Sequence, residues 1–568
     1  MARQWKLRPH DTELEYQHLI NGWEPLMARL LAQRGIGMQE ADQFFAADLA
    51  DIDLFKPLGG IDQAADLLLT AARRQNTSVG VIGDYDADGV TSSAMFQRIC
   101  RALGLECQVF LPHRVQHGYG LNPKTVPAFC EFIQKPPRLL FILDCGTSSE
   151  AEVCQLREFG ISQIVIIDHH IPESSRLSKS ADILVNWRLC GGSEMCTAGE
   201  VLMLARALDR RTDKKHDFFN QLLPLAAIGT VADISPIARE NRVIVRHGLA
   251  KVGESNYIGL RMLAEICNMI DGRLSQMDVS FGLAPRLNAA GRINSAYLSY
   301  NLMVEDKIGA AGSIVSELDM MNKERKHICN ELTAQALEAA EKSNFTNGLL
   351  LINPEWNVGV VGIVASRIVD RFGIPTIVMG QTNGTIKGSG RSLGTTNIKA
   401  IMDSCAEMFS NYGGHEMACG AALKPEYVAT APKLFDEACR NYYAKHGVPI
   451  IDRFYDAALK PTTITVRLCD QLIETFYPYC DDNNPEPVFL LSNAKVVWSK
   501  PWRGDDWQLM TYELEKDGIR IPIKFKTFDE EFGSGLEGKT LDMYFSFTQS
   551  YGTKYGPELW IVDVIRKD

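Results

Sequence analysis

The sequence predicts an α/β protein: a parallel-sheet domain, a long connecting helix, a smaller second α/β domain and a C-terminal β-barrel of the OB-fold type. Three observations predict it. Four short apolar runs, "VGVIG" (79–83), "LLFIL" (139–143), "IVII" (164–167) and "ILV" (183–185), alternate with helical segments. Runs of this kind are parallel strands buried on both faces. Farther on, Ile314, Leu318, Met321, Ile328 and Leu332 recur at 4-3-7-4 spacing, a single apolar stripe on a long helix. Finally, five strand-like runs, "AKVVW", "WQLMTYEL", "IRIPIKFK", "TLDMYFSFT" and "ELWIVDVI", are joined by short polar turns near the end of the chain, as in a small barrel.

Taken in order, residues 1–75 form a helical segment that ends in the amphipathic "IDQAADLLLTAARR". The parallel-sheet domain occupies 76–310 and the connector helix 311–345. Arg325 falls on the connector's apolar stripe, so it requires a carboxylate partner or a partly open face. The second α/β domain spans 346–448. It has strands at "NGLLLINP" and "PTIVMG", the helix "VVGIVASRIVDRFG" between them, and two glycine-rich turns, "IKGSGRSLG" and "NYGGHEMACG". The barrel takes 449–568. A chain of 568 residues has room for about three or four domains.

Composition excludes several function classes. No apolar run approaches the ~20 residues of a membrane span. The opening "MARQWKLRPHDTELEYQ" lacks the apolar core of a signal peptide. The fourteen cysteines are scattered without zinc spacing, which fits a reducing cytoplasm and thiols used as small hydrophobes. Cys145 and Cys419 belong to that group. A net charge of −11 argues against a general coat for polyanions while leaving room for a local basic groove. It gives no reason to expect an oligomer, so a monomer is expected.

The acids are placed by the strands. Asp84, Asp86 and Asp88 follow "VGVIG", Asp144 follows "LLFIL", Asp168, His169 and His170 follow "IVII", and Asp233 closes the apolar segment "LAAIGTVA". One D-x-D after a strand also suits a helix cap with solvated turn acids. Four acid-bearing segments, each ending an apolar run, call for something to offset their mutual repulsion. Carboxylates and imidazole suit Mn²⁺ or Mg²⁺, and two such ions ~3.5–4 Å apart clamp the attacking and leaving oxygens at phosphorus. Asp84 fits either a supporting acid that orients a ligand or a turn former. His169 and His170 are neighbours on an extended loop and point apart. One ligates; the other faces the substrate phosphate or gives a proton to the leaving oxygen.

"DYDADG", "LDCG", "IDHH" and "GTVADISP" resemble, in that order, the four motifs of the DHH phosphoesterase superfamily, and within it the RecJ family of single-strand-specific 5′→3′ exonucleases. "ENRVIVRHGL", "APRLNAAGR", "VGIVASRI", "KGSGRS", "GGHEMACG" and "NNPEPVF" extend the resemblance over nearly all of the chain from about residue 50. The resemblance implies that Asp86, Asp88, Asp144, His169 and Asp233 hold two Mn²⁺ or Mg²⁺ ions. Asp84, Asp168 and His170 then support the reaction or face the substrate. It implies hydrolysis of single-stranded DNA from a free 5′ end to mononucleotides, in DNA repair and recombination. It also implies single-strand-binding protein and a RecQ-type helicase as partners, no membrane, and a cytoplasmic location.

For substrate grip, "GSGRS" offers Ser389, backbone N–H groups and the forked donors of Arg391 to phosphate. Gly413, Gly414 and His415 form a turn that the resemblance sets against the scissile nucleotide. Arg114, Arg286 and Asn288 resemble family positions that face phosphates. Asn357, in "WNVG", stands where the family commonly has His, and an amide cannot donate a proton as imidazolium does. "PYCDDNNP" likewise departs from the family's "PFG-x-GNP". In the barrel, Trp498, Trp502, Trp507, Tyr544, Phe545, Phe547, Tyr551, Tyr555 and Trp560 lie among Lys495, Lys500, Arg503, Lys524, Lys526 and Lys554. Bases stack on aromatics in a basic groove; most of these rings are core, and Trp502 and Tyr551 are the expected exposed pair. Two other readings remain at this stage: a phosphodiesterase of short oligonucleotides or cyclic dinucleotides, and an inactive DNA-binding replication scaffold. The extra barrel disfavours the first, and retention of every motif acid disfavours the second.

Overall fold

The computed structural model describes residues 4–566 apart from 46–47, 55, 75–76, 115, 214, 268–273, 294, 383, 449–451, 481–483, 504–507, 528–535 and 549–557. Tyr551, Tyr555, Trp507 and Lys554 therefore lie outside the described residues, as do the side chains of Trp502, Arg503 and Lys526. The chain forms two bodies. One comprises Trp5–Leu287, Ala296–Val315 and Arg453–Asp568; the other is built on Asn288–Ser295 and Ser316–Asp452.

In the first body, the apolar runs become strands β1 (Ser78–Ile82), β3 (Leu139–Leu143), β4 (Gln163–Ile167) and β5 (Ile183–Val185), all parallel. A further edge strand, β2 (Glu106–Phe110), completes the order β2-β1-β3-β4-β5. Its alternating pattern ECQVF is half exposed, so it lacks the continuous apolar signature of its neighbours. Every residue of β3 is buried, as a strand covered by helices on both faces requires. The chain leaves β1 for β2 on one side and then returns to place β3 on the other. The crevice beyond the carboxyl ends of β1 and β3 is thus the switch point of the sheet, where open α/β sheets bind ligands. Helices α1 (Ala87–Ala102), α2 (Thr197–Arg211) and α3 (Phe218–Ala232) pack around it.

The barrel belongs to the same body. Its strands are β11 (Phe489–Arg503), β12 (Gln508–Lys516), β13 (Ile519–Thr527), β14 (Thr540–Thr548) and β15 (Glu558–Arg566), numbered after the five strands of the second body. They close in the order β11-β12-β13-β15-β14-β11, with β13 and β15 parallel, consistent with an OB-fold. The N-terminal helices pack into the barrel's core. Met27, Leu30, Leu31, Ile36 and Ala41 share one core with Phe476, Phe489, Tyr512 and Phe545 of the barrel region. Arg242 fastens this assembly to the sheet domain. Its fully buried guanidinium donates to the carbonyls of Phe44 (3.0 Å), Thr475 (2.7 Å), Phe476 (2.8 Å) and Pro478 (3.1 Å) and lies over the Phe44 ring. Burial pushes its pKa down to about 9.

The long helix α4 runs Ile308–Glu341. Its buried stripe is Val315, Leu318, Asn322, Cys329, Leu332 and Ala336; Ile314, Met321 and Ile328 flank it half-buried. Apolar side chains at i and i+1 differ by 100° around a helix, and the composition left the two registers nearly equal. In the second body, β6 (Leu349–Ile352), β7 (Thr376–Thr382), β8 (Thr385–Arg391), β9 (Phe409–Gly414) and β10 (Ala418–Leu423) form a mixed sheet in the order β9-β10-β8-β7-β6, with helix α5 (Val361–Phe372) following β6.

One expectation fails here. "IKGSGRSLG" is not a turn up to Arg391 but the central strand β8, paired on both sides. Its glycines serve packing: a Cβ on Gly388 would sit 2.2 Å from the Val378 carbonyl oxygen, and one on Gly390 would sit 2.5 Å from Cys419 Sγ. The backbone N–H groups of this stretch therefore belong to a sheet rather than to an anion-binding turn.

Replacing Arg242 by Met removes its bonds to four carbonyls, of which Phe476 and Pro478 keep Asn484 Nδ2 as a donor while Phe44 and Thr475 lose their side-chain donor. The expected loss is about 2–4 kcal/mol of unfolding free energy, read from urea denaturation; an unchanged midpoint would contradict the fastening role.

Candidate metal centre and active site

The motif acids converge at the switch point. Strand β1 ends at Ile82, and the chain turns through Asp84 and Asp86 into α1. Asp86 caps that helix: its Oδ1 accepts the N–H groups of Asp88 (3.0 Å) and Gly89 (3.1 Å). Gly89 has to be glycine, because a Cβ there would meet the Asp84 carbonyl at 2.6 Å. Asp88, in the first turn of α1, is buried. Its two oxygens accept the N–H groups of Thr197 (2.8 Å) and Ala198 (2.9 Å) at the start of α2. Asp144 follows β3 in left-handed backbone, φ +63°, which costs a non-glycine residue about 1 kcal/mol or more. Its Oδ1 accepts the Thr197 hydroxyl (3.2 Å) and lies 3.3 Å from His169 Nε2. His169 reaches three acids: Nε2 is also 3.9 Å from Asp88 Oδ2, and Nδ1 is 3.9 Å from Asp233 Oδ2. Asp233 comes from the C-terminal end of helix α3, not from a strand.

Ligand atoms fall into three overlapping groups, each within 4.8 Å: Asp84 with Asp86 and Asp144; Asp88 with His169 and Asp233; Asp144 with His169 and His170. Charges this close repel by about 3–4 kcal/mol per pair at an effective dielectric near 20. The titration shifts carry the same message. Burial, then Asp86, holds the Asp84 carboxyl well above its usual range. Burial, then Asp88, Asp86, Asp84 and Asp233, does the same to Asp144. Burial and Asp88 push Asp233 up to about 8. Asp84 is fully buried, and neither of its oxygens takes a well-formed hydrogen bond from the protein. A carboxylate left so is an expensive defect unless a cation meets it. Carboxylate oxygens with one imidazole are the donor set that Mn²⁺ and Mg²⁺ accept, so the residues present fit such ions.

Asp168 and His170 form a dyad at the edge of this cluster, which His170 joins through its group with Asp144 and His169. The Asp168 Oδ2 accepts the Thr147 N–H (2.8 Å), while Oδ1 accepts His170 N–H (3.2 Å) and contacts His170 Nδ1 (2.7 Å). Burial opposes both charges, yet the pairing outweighs it: Asp168 is held well below the usual carboxylate range and His170 rises to about 9. The other ring nitrogen, Nε2, is hydrogen-bonded to the Tyr119 hydroxyl. Arg114 lies over the Tyr85 ring at 5.5 Å, on the loop that carries Asp84 and Asp86.

Several contributors escaped the sequence reading. Thr197, Thr147, Tyr119 and Asn186, whose Nδ2 donates to the His170 carbonyl (2.8 Å), each hold a motif residue. Thr197 is 109 residues from Asp88 and sits in an ordinary helix start, so no local signal links the two.

The remaining predicted residues are described in their own bodies. Arg286 donates to Gly282 O (3.0 Å) and shares the helix Ala284–Ile293 with Asn288. In the second body, Ser389 pairs with Gly420, which pairs with Gly413, so a row crosses three strands; Gly390, Cys419 and Gly414 form the next. Gly414 has φ +142°, and His415 in the following turn is exposed, its N–H donating to Ala418 O. The guanidinium of Arg391 lies against Gly362, in the first turn of α5. Asn357 accepts the Gly359 N–H at 2.8 Å just before the same helix. An amide oxygen thus shapes this turn. On the barrel, Lys500, Thr511, Lys524 and Trp560 stand opposite one another across four strands, one row on one face. Trp498 is 45% exposed, whereas Tyr544, Phe545 and Phe547 are buried.

The chain matches the DHH family N-terminal domain over residues 78–230 and the DHHA1 domain over 345–441. It is 32% identical over 516 residues to the single-stranded-DNA-specific exonuclease RecJ of Escherichia coli, a match covering 86% of this chain and 87% of that one. The chain belongs to the RecJ family. The match to the Bacillus subtilis RecJ, 31% identical, covers 83% of this chain and 59% of that longer relative. The crystal structure of RecJ from Thermus thermophilus in complex with Mn²⁺ superposes with a TM-score of 0.79 at 26% identity, covering all of this chain and 80% of that one. A manganese-bound exonuclease RecJ structure gives 0.59 at 32% identity, over 69% of this chain and 96% of the other. RecJ structures holding Mn²⁺ accord with the donor set found here. Among the described residues no helix is long and apolar enough to cross a membrane.

Substituting Asp84 by Asn removes one of the crowded charges. In chelator the variant should melt at or above the wild-type temperature. In Mn²⁺ it should lose most of the metal-induced rise, which for the wild type is about 2.7 kcal/mol at a hundredfold excess over Kd. Equal metal-induced rises in the two proteins would remove Asp84 from the centre.

Proposed function

We propose that this protein hydrolyses single-stranded DNA from its 5′ end, releasing mononucleotides, with the switch-point cluster as its active site. The observation that carries the reading is the overlap of the three ligand groups through Asp144 and His169, built from four separate loops. We infer that Asp86, Asp88, Asp144, His169 and Asp233 hold two Mn²⁺ or Mg²⁺ ions, and that Asp84, with its buried and unsatisfied carboxylate, joins them. Bound there, divalent cations supply Lewis-acid stabilisation of the charge that builds on the phosphoryl oxygens.

The protein's own groups do the rest. Asp168 fixes the His170 ring through Nδ1 and keeps it protonated, so His170 offers positive charge to the substrate phosphate or a proton to the leaving oxygen. Thr197 and the start of α2 keep Asp88 and Asp144 from swinging apart. Arg114, Arg286, Asn288, Asn357, Ser389, Arg391, Gly413, Gly414 and His415 are assigned to the nucleotide strand. The backbone N–H groups around Ser389 are not, because they pair within the sheet. The basic and aromatic row on the barrel, Lys500, Lys524 and Trp560, favours a polymer over a dinucleotide. The domain division 76–310, 346–448 and 449–568, a monomeric state, a cytoplasmic location, and single-strand-binding protein and a RecQ-type helicase as partners complete the reading; family membership supports them.

The test is digestion of 5′- and 3′-labelled single strands and of blunt duplex with Mn²⁺, Mg²⁺ or chelator, using Asp144→Ala as control. Mononucleotides should leave only the 5′ end of the single strand, and chelation or the substitution should stop the reaction. Release from the 3′ end, or equal attack on the duplex, would overturn the assignment.

A further inference from the structure

Helix α3 ends in a turn that backbone sterics reserve for glycine. The Ser235 N–H donates to Thr230 O and the Ile234 N–H to Val231 O, both at 3.2 Å. These two bonds close a Schellman motif, whose penultimate residue must be left-handed. Here that residue is Ile234, with φ +61°. A β-branched side chain is among the poorest choices for this region. Packing does not compensate, because Ile234 is 84% exposed, ahead of Phe281 at 72%. The fold would be better served by glycine, and solubility by a polar side chain.

Its location supplies a reason. Ile234 directly follows Asp233, whose Oδ2 lies 3.9 Å from His169 Nδ1. Two other exposed apolar side chains come from the same neighbourhood: Ile171 follows His170, and Tyr119 is hydrogen-bonded to it. The cluster is thus an acidic floor with an apolar margin. A phosphodiester over such a floor brings its sugar and base against the margin. We propose that Ile234 is a substrate-contact residue, held out from the helix end to pack against the sugar or base of the nucleoside at the scissile phosphate. This rests on the nuclease reading of the site.

The contact exists equally before and in the transition state, so it acts on KM rather than kcat. Ile234→Gly separates it from a structural role, because relief of the left-handed strain and loss of the contact have opposite signs. The melting temperature should equal or exceed that of the wild type, and the Mn²⁺-induced rise should be unchanged. KM for a single-stranded oligonucleotide should increase about tenfold, the scale of one isoleucine's apolar contact, with kcat within about twofold. Ile234→Val, which keeps a branched apolar group, should recover most of the affinity. An unchanged KM in Ile234→Gly overturns the inference while leaving the nuclease reading intact. So does a lowered melting temperature with a proportionate loss of kcat, which would make Ile234 structural. A wild-type protein that leaves single strands uncut overturns the nuclease reading, and the inference with it.

Discussion

Several carboxylates occupy one crevice, and their mutual repulsion is the constraint around which the sheet domain is organised. Asp84, Asp86, Asp88, Asp144 and Asp233 approach from three segments of the chain, with His169 from a fourth among them. Most are buried, so water screens little of the repulsion. Without compensation the protein holds part of this charge as protons, as the raised affinities of Asp84, Asp144 and Asp233 record. Divalent cations replace those protons with something chemically useful. The same electrostatic cost that destabilises the metal-free crevice therefore gives it affinity for Mn²⁺ or Mg²⁺.

The scaffold is arranged to keep the acids from relaxing. Asp88 is pinned by two N–H groups at the start of α2, Asp86 by the first turn of α1, and Asp144 by a strained backbone and the Thr197 hydroxyl. Each restraint comes from a regular element, and the parallel sheet sets where those elements begin. The dyad of Asp168 and His170 is held in the same way, by the Thr147 N–H on one side and Tyr119 on the other. Ile234 extends this logic from the acids to the residue beside them, where backbone strain is accepted without any gain in packing.

Much of this was legible in the sequence because short apolar runs and terminal acids are local signals. β1, β3, β4 and β5 announce themselves by their apolar runs, and acids follow the runs of β1, β3 and β4 at once. The barrel strands were legible because five strand-like runs follow one another with short polar turns between them. β2 was not, since an edge strand is half exposed and alternates. "GSGRS" was misread because glycine signals both a turn and a close approach of strands, and only the neighbouring Val378 and Cys419 decide between them. The register of α4 was ambiguous where apolar residues stand side by side. Thr197 and Arg242 were invisible as contributors, because the groups they hold lie 53, 109 or 234 residues away in the chain. Asp84 was undecided until its burial and lack of hydrogen bonds were known.

The central claim is that these acids share divalent cations. Anomalous diffraction from crystals grown in Mn²⁺ tests it most directly. The account predicts two peaks in the crevice about 3.5–4 Å apart, with Asp144 in contact with both and Asp84 with one. A crevice without peaks, or a single ion bound away from Asp144 and His169, would contradict it.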